Sequence, residues 1–106
     1  MKWQEGRQGT GYLKKKLLGS NTFDCYLLKY EKGTHIPRHK DPVHVGRHFR
    51  INIELWKASK GGIFEASDII FKIGIVVMFR PDIYDHSVSK IEEGTRYVLS
   101  IGWIRE

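Results

Sequence analysis

The sequence predicts an all-β domain with little helix, built as two packed antiparallel sheets. Three observations carry that prediction. Glycines recur along the chain at Gly6, Gly9, Gly11, Gly19, Gly33, Gly46, Gly61, Gly62, Gly74 and Gly94, and the runs between them are short and rich in β-branched and aromatic residues. Helical periodicity is nowhere sustained for about 12 residues. Phe49–Trp56 alternates strictly, with Phe49, Ile51, Ile53 and Leu55 on one face and Arg50, Asn52, Glu54 and Trp56 on the other.

The elements follow in order. Leu13–Leu18 reads as a strand or as part of a short helix behind a glycine-rich approach, so residues 1–22 are expected to be an irregular lead-in or bracing segment. Phe23–Tyr30 is an apolar, aromatic strand, and His35–Asp41 is a short one. After Phe49–Trp56 come two brief candidates, Ile63–Phe64 and Asp68–Lys72. Ile75–Phe79 is a continuous apolar run, which predicts burial on both faces. Asp85–Lys90 and Thr95–Ile104 flank Glu92-Glu93-Gly94, a hairpin turn by composition. About eight short strands in a chain of this length close as a sandwich or barrel, whose mouth is the natural ligand site.

Composition narrows the classes. The 106 residues fit one domain, 1–106. Hydrophobic residues at 41% and charged residues at 28% exclude a disordered chain. No apolar run approaches the ~20 residues of a membrane span, and Met1–Thr10 lacks a signal-peptide core, so no membrane partner and a cytoplasmic location are expected. Cys25, the single cysteine, sits among Phe23, Tyr26, Leu27 and Leu28 and reads as a small buried hydrophobe. The net charge of +6 draws the chain toward polyanions or simply gives it a basic surface. Lys14-Lys15-Lys16 reads as a solvated face. Trp3, Trp56 and Trp103 read as core or edge packing, with Trp103 a candidate contact in a homodimer.

The chemistry begins at His39-Lys40-Asp41. On a strand, His39 and Asp41 share a face and Lys40 points away. The third ligand is sought among His35, His44, His48 and His86, and His86 stands out because it follows the run 75–79 and the Arg80-Pro81-Asp82 turn. Two histidines and one carboxylate on one side of a metal make the facial triad of non-haem Fe(II) oxygenases. If residues 92–94 turn the last hairpin, Lys90 pairs with Arg96 and His86 with Ser100. His86, Arg96, Val98 and Ser100 then share a face, with Tyr97, Leu99, Ile101 and Trp103 on the other. Arg96 would lie roughly 13 Å along the strand from the metal ligand. After its own reach, the remaining gap suits a five-carbon dicarboxylate clamped by the guanidinium.

With these residues in place the sequence resembles the 2-oxoglutarate/Fe(II)-dependent oxygenase superfamily, most closely its prolyl- and aspartyl-hydroxylase branches. The pattern reads His39-x-Asp41, His86 and Arg96, over about residues 26–104. Tyr30-Glu-Lys-Gly33, Gly61-Gly62, Gly74–Phe79 and Gly94–Trp103 resemble the supporting segments. Val98 stands where many members carry serine or threonine. The resemblance implies a minimal double-stranded β-helix, a jelly roll or cupin-like barrel. It implies that His39, Asp41 and His86 hold Fe(II), that Arg96 pairs with the distal carboxylate of 2-oxoglutarate, and that Tyr30 assists. Asn52 is a weaker co-substrate candidate, His48 and Arg50 are candidates for contact with the prime substrate, and Arg50 reads equally as an outward charge. The implied reaction consumes 2-oxoglutarate and O2 and hydroxylates a protein side chain, a nucleobase or a small molecule.

Three other readings stand beside it. One is a cupin-like metal-binding module, to which Gly33 and the spacing to His39 also fit, although Asp41 replaces a second histidine. Another is a basic nucleic-acid-binding barrel whose metal-type residues are incidental. The last is an inactive relative of the oxygenases. His35, His44 and His48 are expected on the surface or in loops, with the pocket mouth as the other reading of His44 and His48, since the Pro42–His48 loop follows Asp41.

Overall fold

The computed structural model describes residues 3–6 and 11–106. Its strands are β1 (Gln4–Glu5), β2 (Leu13–Gly19), β3 (Phe23–Tyr30), β4 (Ile36–His39), β5 (Arg47–Trp56) and β6 (Lys60–Gly61). They continue with β7 (Phe64–Ala66), β8 (Phe71–Ile73), β9 (Val76–Phe79), β10 (His86–Val88), β11 (Ile91–Glu93) and β12 (Arg96–Arg105). Among the described residues there is no helix, and hence none long and apolar enough to cross a membrane.

A seven-stranded sheet runs β1-β2-β3-β12-β5-β9-β8, a three-stranded sheet runs β4-β10-β7, and β11 pairs with β6. All of these pairings are antiparallel. The core comprises Tyr30, Ile36, Ala58, Val88, Ile91 and Val98, with Tyr12, Leu28 and Phe64 packed against it. The all-β jelly roll expected from the sequence is the fold observed.

Register assigns the faces of the large sheet. Directly opposed residues share a face. On β12, Arg96, Val98, Ser100 and Gly102 are buried, alternating with half-buried Tyr97, Leu99, Ile101 and Trp103. Asn52 and Tyr26 oppose Ser100, so they face inward; Ile51 and Cys25 oppose Ile101, so they face outward.

Of the two readings of 13–18, the strand is the one observed: the run is most of β2, stitched to β3, while residues 1, 2 and 7–10 lie outside the described residues. Three expectations are corrected. The run 75–79 is not buried on both faces: Phe79 is 1% exposed, but Ile75 is 58% exposed because it stands in the Gly74-Ile75 turn between β8 and β9. Cys25 is half-buried on the outer face rather than in the core. Residues 92–94 do not close a hairpin. Gly94 turns with φ of +83°, a conformation that favours glycine, and the chain changes sheets there: β11 joins β6 while β12 joins β3 and β5. His86 therefore pairs with His39 and Ala66, and Ser100 with Tyr26 and Asn52.

Candidate metal centre

His39 ends β4 and His86 begins β10, and the two are direct partners across the ladder. The pairing brings their rings to a centroid separation of 4.2 Å. Each ring is fixed by the same local device. Nδ1 of His39 lies 2.8 Å from the carbonyl of Pro37, and Nδ1 of His86 lies 3.0 Å from that of Tyr84. A carbonyl oxygen only accepts, so each Nδ1 carries a proton and Nε2 is the ring atom left toward Asp41. Oδ1 of Asp41 is 3.6 Å from Nε2 of His39 and Oδ2 is 3.2 Å from Nε2 of His86, an arrangement that needs a shared cation or a proton between the facing acceptors.

Asp41 lies beyond the end of β4 and is set by the turn before β10. Its N–H donates to the Pro81 carbonyl at 2.7 Å. The turn is clipped by Arg80, whose Nη2 donates to Asp82 Oδ2 at 2.6 Å. Burial works against the Asp82 carboxylate, but bonds from Arg80 and from the backbone N–H groups of His48 and Asp82 outweigh it and hold its pKa below the usual value. The loop after Asp41 is thus tied to the turn at both ends. Phe79 meets the His86 ring edge-on at 5.3 Å and walls the cluster.

The donor atoms of His39, Asp41 and His86 all lie within 4.8 Å of one another. Two imidazoles, each oriented by a carbonyl at Nδ1, and one carboxylate form a donor set that suits a divalent transition metal once Nε2 is free of its proton. The residues present fit such an ion.

The cluster lines one cavity of about 230 Å³ with Lys14, Tyr26, Tyr30, Arg50, Asn52 and Ser100 of the large sheet. Asn52 Oδ1 accepts from the Ser100 hydroxyl at 2.7 Å, and Arg50 Nη1 donates to that hydroxyl at 2.7 Å. Arg50 Nη2 grips both oxygens of Asp24 at 2.8 and 3.0 Å. To reach Asp24 on β3, Arg50 on β5 crosses β12 at Gly102, where a Cβ would collide with the guanidinium. His48 also lines the cavity, with Nε2 3.3 Å from Arg50 Nη2. Burial, then the Arg50 charge, lowers its pKa.

The other predicted residues fall differently. Tyr30 is in the core and reaches the cavity, and burial pushes its hydroxyl up to about 12 against the charge of Arg96. Arg96 is 4% exposed, 4.9 Å from the Tyr30 ring centroid, and its Nε donates to Glu54 Oε2 at 2.6 Å. It lines a neighbouring cavity with Glu54, Phe64 and Val77 rather than the one holding the triad. His35 and His44 are exposed.

Sequence reasoning missed Lys14, Tyr26, Asp24 and Gly102. For Lys14 the reason is plain: three adjacent lysines hide the alternation that places it inside and Lys15 outside. Only the register of β2 on β3 separates them. For Asp24 and Gly102 no local signal exists, because their role is defined by a side chain arriving from β5.

No protein-family model matches the sequence, and no curated protein does. Solved structures do match. The Schizosaccharomyces pombe Cnp3 cupin domain aligns with a TM-score of 0.65 at 12% identity, over 99% of this chain and 69% of that one. KdgF from Halomonas sp. aligns with a TM-score of 0.64 at 16% identity, over 100% and 90% of the two chains. A Pseudomonas putida prolyl-4-hydroxylase aligns with a TM-score of 0.59 at 23% identity, over 79% of this chain and 51% of that one. At these identities the likeness speaks to architecture, and the architecture is consistent across all three: this chain has the double-stranded β-helix fold of the cupin domains.

Proposed function

We propose that the chain is an Fe(II)- and 2-oxoglutarate-dependent oxygenase. The observation that carries the reading is the convergence of His39, Asp41 and His86 at one small cavity, with both imidazoles held in the tautomer that presents Nε2. Three protein donors on one side of an ion leave its other positions for exogenous ligands. Bound there, Fe(II) would supply the centre at which a 2-oxo acid and O2 react to give succinate, CO2 and a hydroxylated substrate, one oxygen atom going to succinate and one to the new hydroxyl.

The chain's own residues do the rest. Asp41 supplies the one negative charge of the donor set. The Pro37 and Tyr84 carbonyls keep Nδ1 protonated and so keep the rings aimed. Phe79 and Phe64 close the apolar wall beside His86 and limit water. The Arg50–Asp24–Ser100–Asn52 network holds the opposite wall in one arrangement. The resemblance gives the distal carboxylate to Arg96 and Tyr30; under that assignment Arg96 would meet it through its Nη groups, since Nε is bonded to Glu54. The prime substrate belongs to one of three classes, a protein side chain, a nucleobase or a small molecule.

A second reading, a cupin-like metal-binding module without turnover, is favoured by Arg96, which is paired with Glu54 and lines a neighbouring cavity instead of the one holding the triad. Anaerobic calorimetric titration of 2-oxoglutarate into metal-loaded protein separates the two. The oxygenase reading expects metal-dependent binding that His86→Ala abolishes, followed by succinate release in air. Metal binding without affinity for the acid moves the assignment to the second reading. Binding of neither removes both.

A further inference from the structure

We propose that Lys14 is the residue that takes the far carboxylate of the acid bound in the triad cavity. The inference rests on the reading of that cavity as a 2-oxo acid site, and it assigns a role that the sequence pattern gave to Arg96.

Lys14 lies opposite Leu28 on β3, and Leu28 lies opposite buried Val98 on β12, so Lys14 is on the inner face. Lys15, one residue on, lies opposite outward Leu27 and sits 4.6 Å from the centroid of the Trp3 ring. The two neighbours therefore serve opposite sides of the sheet. Lys14 lines the same cavity as His39, Asp41 and His86, across from them on the large sheet.

The charge inventory singles it out. Two long cations of the large sheet line the cavity of the triad, Lys14 and Arg50, while Arg96 lines the neighbouring cavity with Lys72. Arg96 is held by Glu54 at 2.6 Å and Arg50 by Asp24 at 2.8 Å. Lys14 makes no ion pair among the described residues; its ammonium lies 5.1 Å from the centroid of the Tyr26 ring. A cation–π contact of about 0.5–2 kcal/mol orients a cation but does not neutralise it. A positive charge facing a partly enclosed cavity, with its counter-charge missing, is a place for an anionic ligand. Arg50 and Arg96 are already committed to the fold.

The geometry then divides the ligand's two ends. One end meets the triad, and the other meets the ammonium that Tyr26 steadies. Lysine is a compact point charge on a flexible stem, so it accepts a carboxylate without the planar register that an arginine fork demands. A cavity of about 230 Å³ admits a short-chain diacid; drug-sized ligands occupy roughly 300–1,000 Å³.

The test is calorimetry on the full chain loaded with Mn(II) under anaerobic conditions. The probes are 2-oxoglutarate and 2-oxopentanoate, which lacks the far carboxylate. Lys14→Met is expected to weaken 2-oxoglutarate roughly 10–100-fold, the worth of a charge-assisted bond. It should leave 2-oxopentanoate and Mn(II) affinity unchanged, which also shows the variant is folded. Lys14→Arg should restore most of the loss. Equal 2-oxoglutarate affinity in wild type and Lys14→Met overturns the inference while leaving the oxygenase reading intact, and loss in Arg96→Met would then name the clamp. If wild type binds Mn(II) but no 2-oxoglutarate, the oxygenase reading fails, and succinate becomes the probe. Succinate binding lost in Lys14→Met keeps Lys14 as the anion residue for another acid; no succinate binding by wild type removes it.

Discussion

The two faces of the seven-stranded sheet have exchanged their usual characters. The face turned toward the small sheet carries Lys14, Tyr26, Asp24, Arg50, Asn52, Glu54, Arg96 and Ser100 around a few apolar side chains. The face turned away carries continuous apolar rows, Leu27–Leu99–Ile53–Val76 and Cys25–Ile101–Ile51–Met78. In a simple sandwich, alternation puts the apolar set inside and the polar set in water. Here the polar set is enclosed because it forms the wall of the cavity, and Arg50, Asp24, Ser100, Asn52, Arg96 and Glu54 are joined by their own ion pairs and hydrogen bonds, while Lys14 is left with the Tyr26 ring. Among the described residues no buried side-chain nitrogen or oxygen lacks a partner. The apolar core is accordingly small, and Ile91 and Val98 are its most buried members.

The largest effect expected from this division is at that small core. Ile91 is 0% exposed, so Ile91→Ala should cost about 2–5 kcal/mol, read by urea denaturation. A loss below ~1 kcal/mol would mean that the enclosed polar wall, not the apolar cluster, holds the sheets together. Next comes Gly102→Ala. The added methyl displaces the Arg50 guanidinium and breaks its bonds to Asp24 and Ser100. A cost of about 1–3 kcal/mol follows from stranding a half-buried charge pair. Arg50→Met in the same background should recover part of it if the collision is the cause.

The alternation of Phe49–Trp56 and of Tyr97–Trp103 was legible in the sequence, and it correctly sorted Arg50 and Asn52 from Ile51 and Ile53. His39 and Asp41 were singled out by their i, i+2 spacing and His86 by its place after the run 75–79, and their donor atoms do lie together, but Asp41 stands beyond the end of β4 and is placed by its bond to Pro81 instead of by strand alternation. Which face enclosed the site was not legible, because periodicity of two identifies a strand without saying what lies above it. The last pairing failed for a related reason. Glu92-Glu93-Gly94 has turn composition, but whether a turn returns the chain to its own sheet or passes it to another depends on where β6 and β3 already are. Ion-pair commitments such as Arg96 with Glu54 and Arg50 with Asp24 join residues 42 and 26 positions apart, beyond any local pattern.

A smaller effect tests the inner face by pH. Tyr30 is buried against Arg96, and its hydroxyl is raised from 10.0 to about 12, mainly by burial. A group that holds its proton more tightly when folded contributes stability fully below its unfolded pKa, and that contribution fades as pH rises toward the folded value. Stability should therefore fall between pH 10 and about 12, and Tyr30→Phe should flatten that part of the profile. At the acid end His48 runs the other way. Burial and Arg50 lower its pKa from 6.5, so its neutral form stabilises the fold above that value, and stability declines as pH falls through the lowered one. An unchanged alkaline slope in Tyr30→Phe would show that the ring is not shielded from water as the inner face requires.

The smallest expected effect is on the outer face, and it is the one that sharpens the comparison most. Ile73 belongs to the outer apolar row through Val76 and Ile53, yet it is 72% exposed at the edge strand β8. An exposed apolar side chain has already lost its hydrophobic contribution, so Ile73→Lys should change stability by less than about 0.5 kcal/mol. The measurement is urea denaturation at two protein concentrations tenfold apart. Equal midpoints at both, and a negligible shift in the variant, mean that the outer face meets solvent and that the fold tolerates its apolar rows. A midpoint that rises with concentration in wild type and stops doing so in Ile73→Lys means that a second copy covers the face. The apolar rows would then be buried as the alternation first suggested, against another molecule instead of the small sheet.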